Sequence, residues 1–198
     1  MENRNAILSG DSVNFEKYGK IKRVNNYGVE INMEKVNFFN SELFNEHAEK
    51  TFVLHKNKIK ELMPEVDIQH VGSTAIPNSI TKGDLDIQVR VNPQQFSKAV
   101  ELLSNLYEVN EESIKTDTFR AFKDDNTKPP LGIQLTVIDS EFDFFWKFRD
   151  VLLANKRYRD EYDHLKKEYE GKSMDVYREA KDKFFEVLME TPEFKKYE

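Results

Sequence analysis

Apolar and polar residues alternate with two different periods along this chain, and the changes of period mark its elements. From Ser41 to Met63, the residues Leu43, Phe44, Phe52, Leu54, Ile59, Leu62 and Met63 recur at roughly helical spacing. Ser41 is placed to cap that helix and Pro64 to stop it. The period then shortens: Val66, Ile68 and His70 alternate as a first core strand that ends at Gly72-Ser73. Asp84–Val91 predicts a second strand, with Asp84, Asp86, Gln88 and Arg90 on one face and Leu85, Ile87, Val89 and Val91 on the other. Pro93 opens a helix running to about Tyr107, whose inward stripe is Phe96, Val100, Leu103 and Leu106. Residues 112–123, with Ile114, Thr116 and Thr118, predict a further strand. Leu131–Ile138 sets Ile133, Leu135 and Val137 against Gln134, Thr136 and Ile138 as a third core strand, after a polar loop at 124–130. Beyond Asp139 the pattern is helical over 141–154, 157–169 and 174–189, with breaks near Asn155 and at Gly171.

This order predicts an α+β fold: a small mixed sheet flanked by helices, with a helical C-terminal section. Residues 20–140 form the core and 141–198 a helical section packed on it, in one domain overall. At the start, residues 1–19 are polar, unpatterned and expected to be loosely held. Lys20–Val24 and Val29–Met33 flank Asn25-Asn-Tyr-Gly28 as a short hairpin.

Composition changes this picture little. Apolar residues make up only 38% of the chain and charged ones 33%, but 15 Phe and 8 Tyr supply bulky material for a core. No run approaches the roughly 18 apolar residues of a membrane span. The N-terminus lacks the basic region and apolar stretch of a signal peptide, so a cytoplasmic protein with no membrane partner is expected. Without cysteine there is neither a disulfide nor a thiolate metal site. The net charge of −6 argues against broad binding to nucleic acid.

The chemistry concentrates between residues 70 and 91. Asp84 and Asp86, two residues apart on one face, are a ligand pair suited to a hard cation such as Mg²⁺ or Mn²⁺. Gly72, Ser73 and Thr74 form a turn able to meet phosphates, and Lys82 or Arg120 could offset phosphate charge. Each has a plainer role. The carboxylates could blunt an edge strand, Gly72 could supply a positive φ, and Ser73 and Thr74 could cap a helix. His70 is expected to be a half-buried strand residue rather than a metal ligand, and Arg149 to pair with a helix neighbour. The cluster Phe142, Phe144, Phe145, Trp146 and Phe148 fits core packing. A tyrosine stripe, Tyr158, Tyr162 and Tyr169, fits either packing on the core or lining a second-substrate cleft.

Ser73 and Asp84 are separated by the ten residues 74–83, the interval that separates a Gly-Ser turn from an acidic strand in polymerase-β-like nucleotidyltransferases. The run His70-Val-Gly-Ser-Thr-Ala-Ile-Pro77 closely resembles the signature of the GrpB-like branch of that superfamily. The similarity continues through Lys82, Asp86-Ile87, Phe119-Arg120 with Phe122, Gln134-Leu-Thr-Val137, Phe148-Arg-Asp150, Tyr162 and Lys166. The resemblance implies a nucleotidyltransferase-like sheet and Mg²⁺-dependent transfer of a nucleoside monophosphate from a nucleoside triphosphate. The acceptor is unknown, a small molecule or a protein fitting better than a long nucleic acid. His70, Gln134, Thr136, Arg149 and Lys166 would support the site.

Two departures matter. Asp84 stands where many members carry an apolar residue, and Gln134 and Thr136 stand where the family usually has His-x-His. No carboxylate lies on Leu131–Ile138 to serve as the third acid of an active site; Asp117 and Asp139 are the nearest by sequence. A catalytically incomplete nucleotide- or phosphate-binding module therefore stands beside the enzyme. A third reading is an interaction protein, a homo-oligomer joined through its helical tail.

Overall fold

A sheet covered on both sides explains why every residue of Leu131–Val137 is buried, the polar Gln134 and Thr136 included. The computed structural model describes residues 35–197, so the expected loose segment 1–19 and the hairpin over 20–33 lie outside the described residues. The strands are β1 (Phe39–Asn40), β2 (Asp67–Val71), β3 (Ile80–Thr81), β4 (Leu85–Val91), β5 (Glu108–Val109), β6 (Phe119–Asp124) and β7 (Leu131–Val137). The helices are α1 (Asn45–Leu62), α2 (Phe96–Ser104), α3 (Phe145–Ala154), α4 (Lys156–Tyr169), α5 (Met174–Met189) and α6 (Pro192–Lys195). Five strands form one mixed sheet in the order β2-β4-β7-β6-β5, and β1 pairs with β3 separately. β4 and β7 run parallel in its centre, and all seven residues of β7 are buried. The fold is α+β, a small mixed sheet flanked by helices with a helical C-terminal section.

One face of the sheet carries Ile68, Leu85, Ile87, Val89, Ile133 and Leu135, packed against α1 through Phe52 and Ile59 and against α2 through Phe96 and Leu103. Ala48, Phe52, His55 and Ile59 of α1 fall at intervals of three and four, so a single stripe turns inward. The other face carries Asp86, Gln88 and Arg90 of β4, Gln134 and Thr136 of β7, and Phe119 and Ala121 of β6. Helices α3, α4 and α5 cover it, with Phe148, Val151, Leu152 and Tyr162 in the second apolar cluster. The tail folds this way because Ser173 caps α5 by accepting the Asp175 N–H at 3.2 Å, and Gly171, with φ +73°, ends the preceding run.

Several boundaries differ from expectation, each for a local reason. Ser41 does not cap α1: Asn40 caps a short 3₁₀ turn over Ser41–Leu43, and the buried Ser41 hydroxyl donates to the Ile76 carbonyl at 3.2 Å. Residues 112–118 are turn rather than strand. The Thr116 hydroxyl accepts the Thr118 N–H at 3.2 Å, a local bond that competes with sheet pairing, and β6 begins only at Phe119. Leu106 lies beyond the end of α2 and is 39% exposed; Tyr107 fills the core instead, its hydroxyl 3.0 Å from His55 Nδ1. The first C-terminal helix starts at Phe145, not Glu141, after a turn that buries Phe142 and Asp143.

Candidate functional site

The turn after β2 brings the candidate residues together. Gly72 has φ +74°, a conformation that only glycine adopts without strain, and a Cβ there would lie 2.1 Å from Asp86 Oδ2. The backbone of Gly72 therefore abuts a carboxylate of the neighbouring strand, as the pairing of Val71 with Asp86 requires. Ser73–Ala75 form a single 3₁₀ turn, so neither Ser73 nor Thr74 caps an α-helix. Thr74 is buried, and its hydroxyl donates to the Asp84 carbonyl at 2.9 Å. A hydroxyl has one proton, so the His70 Nε2 atom 3.2 Å away must be the donor in that contact. Thr74 is thus a clip that fixes the start of the acidic strand.

Asp84 immediately precedes β4, and its carboxylate lies 3.2 Å from Lys82 Nζ. Asp86 Oδ1 accepts from Gln134 Nε2 at 3.2 Å, while Gln134 Oε1 is buried without a hydrogen-bond partner. Gly72, Ser73, Lys82, Asp84, Asp86 and Gln134 all line one cavity of about 150 Å³ between the sheet and the C-terminal helices. Arg149 lines it too. Its guanidinium reaches Asp150 at 2.7 Å and ties α3 to β2 through Gln69 Oε1 at 3.0 Å and the His70 carbonyl at 2.8 Å.

The remaining candidates lie elsewhere. Arg120 pairs in register with Leu135, on the face opposite Asp86, and does not line the cavity. His70 is on that opposite face as well, stacked on Phe52 with ring centroids 5.1 Å apart and Nδ1 3.5 Å from Glu49. Thr136 shares the face of Gln134 but is buried, accepting from Gln88 Nε2 at 2.9 Å. Gln88 and Arg90 are spent on the buried Asp143, so only the Asp84–Asp86 end of β4 faces the cavity. Among the described residues, no group of three or more His, Asp or Glu side chains is arranged to hold a metal. Neither Asp117 nor Asp139 lines the cavity.

One wall of the cavity, formed by α5, lies outside the expectations from the sequence. Tyr177, Arg178, Lys181 and Phe185 of α5 line the cavity from above, at intervals of one, three and four residues. Burial pushes the Lys181 ammonium down to about 8, with Lys82 and Arg178 adding to the effect and Asp182 and Asp84 opposing it. Burial also raises Tyr162 to about 12 and holds Tyr177 well above its ordinary value. The signal was present in the sequence, since these residues form one helical stripe. Their cationic members, however, looked like any solvated helix face.

Lys166 lies beneath the site, fully buried. Its ammonium donates to the Ile80 carbonyl at 2.5 Å, to Asp163 Oδ1 at 3.1 Å and to the Ser79 hydroxyl at 3.2 Å, and sits 4.0 Å from the centre of the Tyr162 ring. It pins α4 to the loop that leads into Lys82 and Asp84. Burial lowers it from 10.5 to about 8, against the pull of Asp163. Between those values the unfolded chain holds a proton that the fold releases, so stability rises with pH across that window. Below about 8 both states are charged and the slope vanishes. Above 10 the raised tyrosines reverse it, because the unfolded chain loses their protons first. Lys181 acts in the same direction as Lys166. The melting temperature is expected to climb from pH 8 to about 9.5, and Lys166→Met to lose about half of that slope. A flat or falling profile in fluorescence melts of the wild type would contradict the assignment.

Residues 42–191 match the family model described as GrpB protein. A UPF0157 protein of Vibrio cholerae serotype O1 is 34% identical over 160 residues, covering 79% of this chain and 83% of its own. The crystal structure of the conserved protein GrpB from Enterococcus faecalis superposes with a TM-score of 0.61 at 22% identity, over 78% of this chain and 96% of that one. A structure of Cid1 poly(U) polymerase with MgGTP bound aligns at a TM-score of 0.40 and 10% identity, over 62% of this chain and 44% of that one. The matched segment contains the Gly72 turn, the acidic strand and all three long C-terminal helices, and the chain belongs to the GrpB family.

Proposed function

We infer that the cavity binds a nucleoside triphosphate with a divalent cation and transfers its nucleoside monophosphate to an acceptor. One observation carries this reading: two carboxylates and a buried amide oxygen without a partner share a cavity with four cations. Asp84, Asp86 and Gln134 Oε1 are hard oxygen donors, the set that suits Mg²⁺ or Mn²⁺, and those residues would hold the ion. Such an ion, when bound, supplies charge neutralisation on the phosphates and acidifies an attacking hydroxyl. The chain's own groups do the rest. The Gly72–Ser73 backbone lies close enough to Asp86 to hold phosphate oxygens beside it, and Lys82, Arg178 and Lys181 offset the charge of a triphosphate. The aromatic lining excludes water and strengthens each of these interactions.

The test is metal-dependent nucleotide binding. At about a hundredfold excess over its dissociation constant, a bound nucleotide should stabilise the fold by about 2.7 kcal/mol. That shift should appear with at least one nucleoside triphosphate in Mg²⁺ or Mn²⁺ and vanish in Asp84→Asn/Asp86→Asn. Unchanged melting temperatures of the wild type with all common triphosphates would overturn the reading. A binding module without catalysis is the second reading, favoured by Gln134 standing where a third carboxylate would be. Nucleotide binding without pyrophosphate release, in the presence of any acceptor pool, would select it.

A further inference from the structure

The charge in the cavity is confined to one flank. Its six charged lining residues are Lys82, Asp84, Asp86, Arg149, Arg178 and Lys181. The first three lie on or just before β4, and Arg149 is bound to β2 through Gln69 and His70. Arg178 and Lys181 are close enough in charge terms to Lys82 and Asp84 for Lys181 to register them. Across the sheet, on the far side of Gln134, the lining side chains are Phe119, Ala121, Asn110 and Ser113, with no charge among them, while the Phe122 ring turns to the opposite core. Lys123, the next residue of that strand on the same face, is turned outward to Asp125 at 3.0 Å and Glu108 at 3.5 Å.

Sheet order fixes how these flanks lie. Val71 pairs with Asp86, Gln134 pairs with Ala121, and the Asn110 N–H donates to the Ala121 carbonyl at 2.9 Å. From the Gly72 end of β2 the sequence is therefore turn, acidic strand, Gln134, Ala121, Asn110. Asn110 lies three strand spacings, ~14 Å, from the acidic strand. Displacement at phosphorus requires the attacking oxygen and the leaving pyrophosphate on opposite sides of the reacting atom. If the Gly72–Ser73 turn holds the leaving phosphates, the attacking group must come from the Gln134 side.

We propose that the neutral flank formed by Phe119, Ala121, Asn110 and Ser113 is the acceptor subsite, and that the acceptor is a small, uncharged hydroxyl compound with an aromatic or otherwise apolar body. This rests on the nucleotidyl-transfer reading of the acidic flank. The Phe119 ring and Ala121 take the body of the acceptor, and the Asn110 amide and Ser113 hydroxyl take a polar substituent at its far end. The acceptor's hydroxyl oxygen forms a bond to the α-phosphorus, the bond from that phosphorus to the bridging oxygen breaks, pyrophosphate leaves, and the hydroxyl proton passes to solvent. An anionic acceptor would enter an apolar flank with no cation to receive it.

Benzyl alcohol serves as the probe, with 4-hydroxybenzoate as its charged counterpart, in ligand-observed NMR titrations of the full chain with and without MgATP. Benzyl alcohol is expected to bind in both conditions, and 4-hydroxybenzoate about tenfold more weakly. Ala121→Phe, which fills the flank, should weaken benzyl alcohol by about tenfold or more while leaving MgATP affinity unchanged. Ser113→Ala, which removes one hydroxyl, should weaken it several-fold and guards against misfolding of the larger substitution. Displacement of benzyl alcohol by MgATP would overturn the proposal, since the flank would then belong to the donor. Equal loss of MgATP in Ala121→Phe, or no binding of benzyl alcohol to the wild type, would overturn it too. A wild type that binds benzyl alcohol but no nucleotide would instead refute the donor reading, so the two failures are distinguishable.

Discussion

Replacing Asp143 with alanine is expected to cost the fold about 3–5 kcal/mol, the range for removing one partner of a buried ion pair. Asp143 is only 1% exposed, and both its oxygens are fully used. Oδ1 accepts from Arg90 Nε at 2.6 Å and from Gln88 Nε2 at 2.9 Å; Oδ2 accepts from Arg90 Nη2 at 2.6 Å and from the Asp139 N–H at 2.9 Å. Arg90 also reaches Asp67 at 2.8 Å and packs 4.9 Å from the Trp146 ring, and its guanidinium is held even more firmly protonated than usual, chiefly by Asp143. Alanine would leave Arg90 half-buried with one partly exposed carboxylate, and Gln88 short of an acceptor. For a chain of this size the loss corresponds to a fall in melting temperature of roughly 6–20 °C. Calorimetry reads it directly. A fall of under 2 °C would show that the network contributes to geometry rather than stability. Because Asp143 lies at the Arg90 end of β4, nucleotide affinity of the folded fraction should be nearly unchanged.

That network also shows how far the sequence could be read. Alternation along β4 correctly placed Asp84, Asp86, Gln88 and Arg90 on one side, because side-chain direction in a strand is set by the backbone alone. It could not divide that side in two. Whether Gln88 and Arg90 face a ligand or a buried carboxylate depends on Asp143, which is more than fifty residues away in a turn expected to be helical. Arg120 lies away from the cavity for a related reason: its guanidinium could serve as a counter-charge for phosphate, but its face is fixed by pairing with Leu135, and register is a tertiary property. Thr116 and Thr118 favour a strand on propensity yet sit in a turn, because their hydroxyls bond the local backbone. The Gly72 turn and the acidic strand were legible because their spacing is local. The cations of α5 were not, since a lysine on a helix reveals its burial only once the helix is docked.

The second large effect is expected at Gly72, where alanine should damage fold and site together. At φ +74° and ψ −172°, a region essentially reserved to glycine, a non-glycine residue carries on the order of 1–3 kcal/mol of backbone strain. The more serious cost is contact. The new Cβ would lie 2.1 Å from Asp86 Oδ2 and 2.7 Å from its Cγ, so the carboxylate must move. Asp86 cannot swing freely, because Gln134 holds its other oxygen at 3.2 Å and β4 is buried between two partner strands. The displaced carboxylate would leave the position facing the cavity, and metal-dependent nucleotide binding should be lost even where the protein remains folded. A double-mutant cycle separates the two costs. In an Asp86→Gly background the clash is removed, because the Asp86 Cβ that would lie 2.8 Å away goes together with the carboxylate, so Gly72→Ala should cost only the backbone strain, whereas in the wild type it should cost clearly more. The difference measured by urea unfolding is the free energy of the close approach between the Gly72 turn and the acidic strand. Equal costs in both backgrounds would mean that the turn yields around the new methyl group and that Asp86 is not held by Gly72.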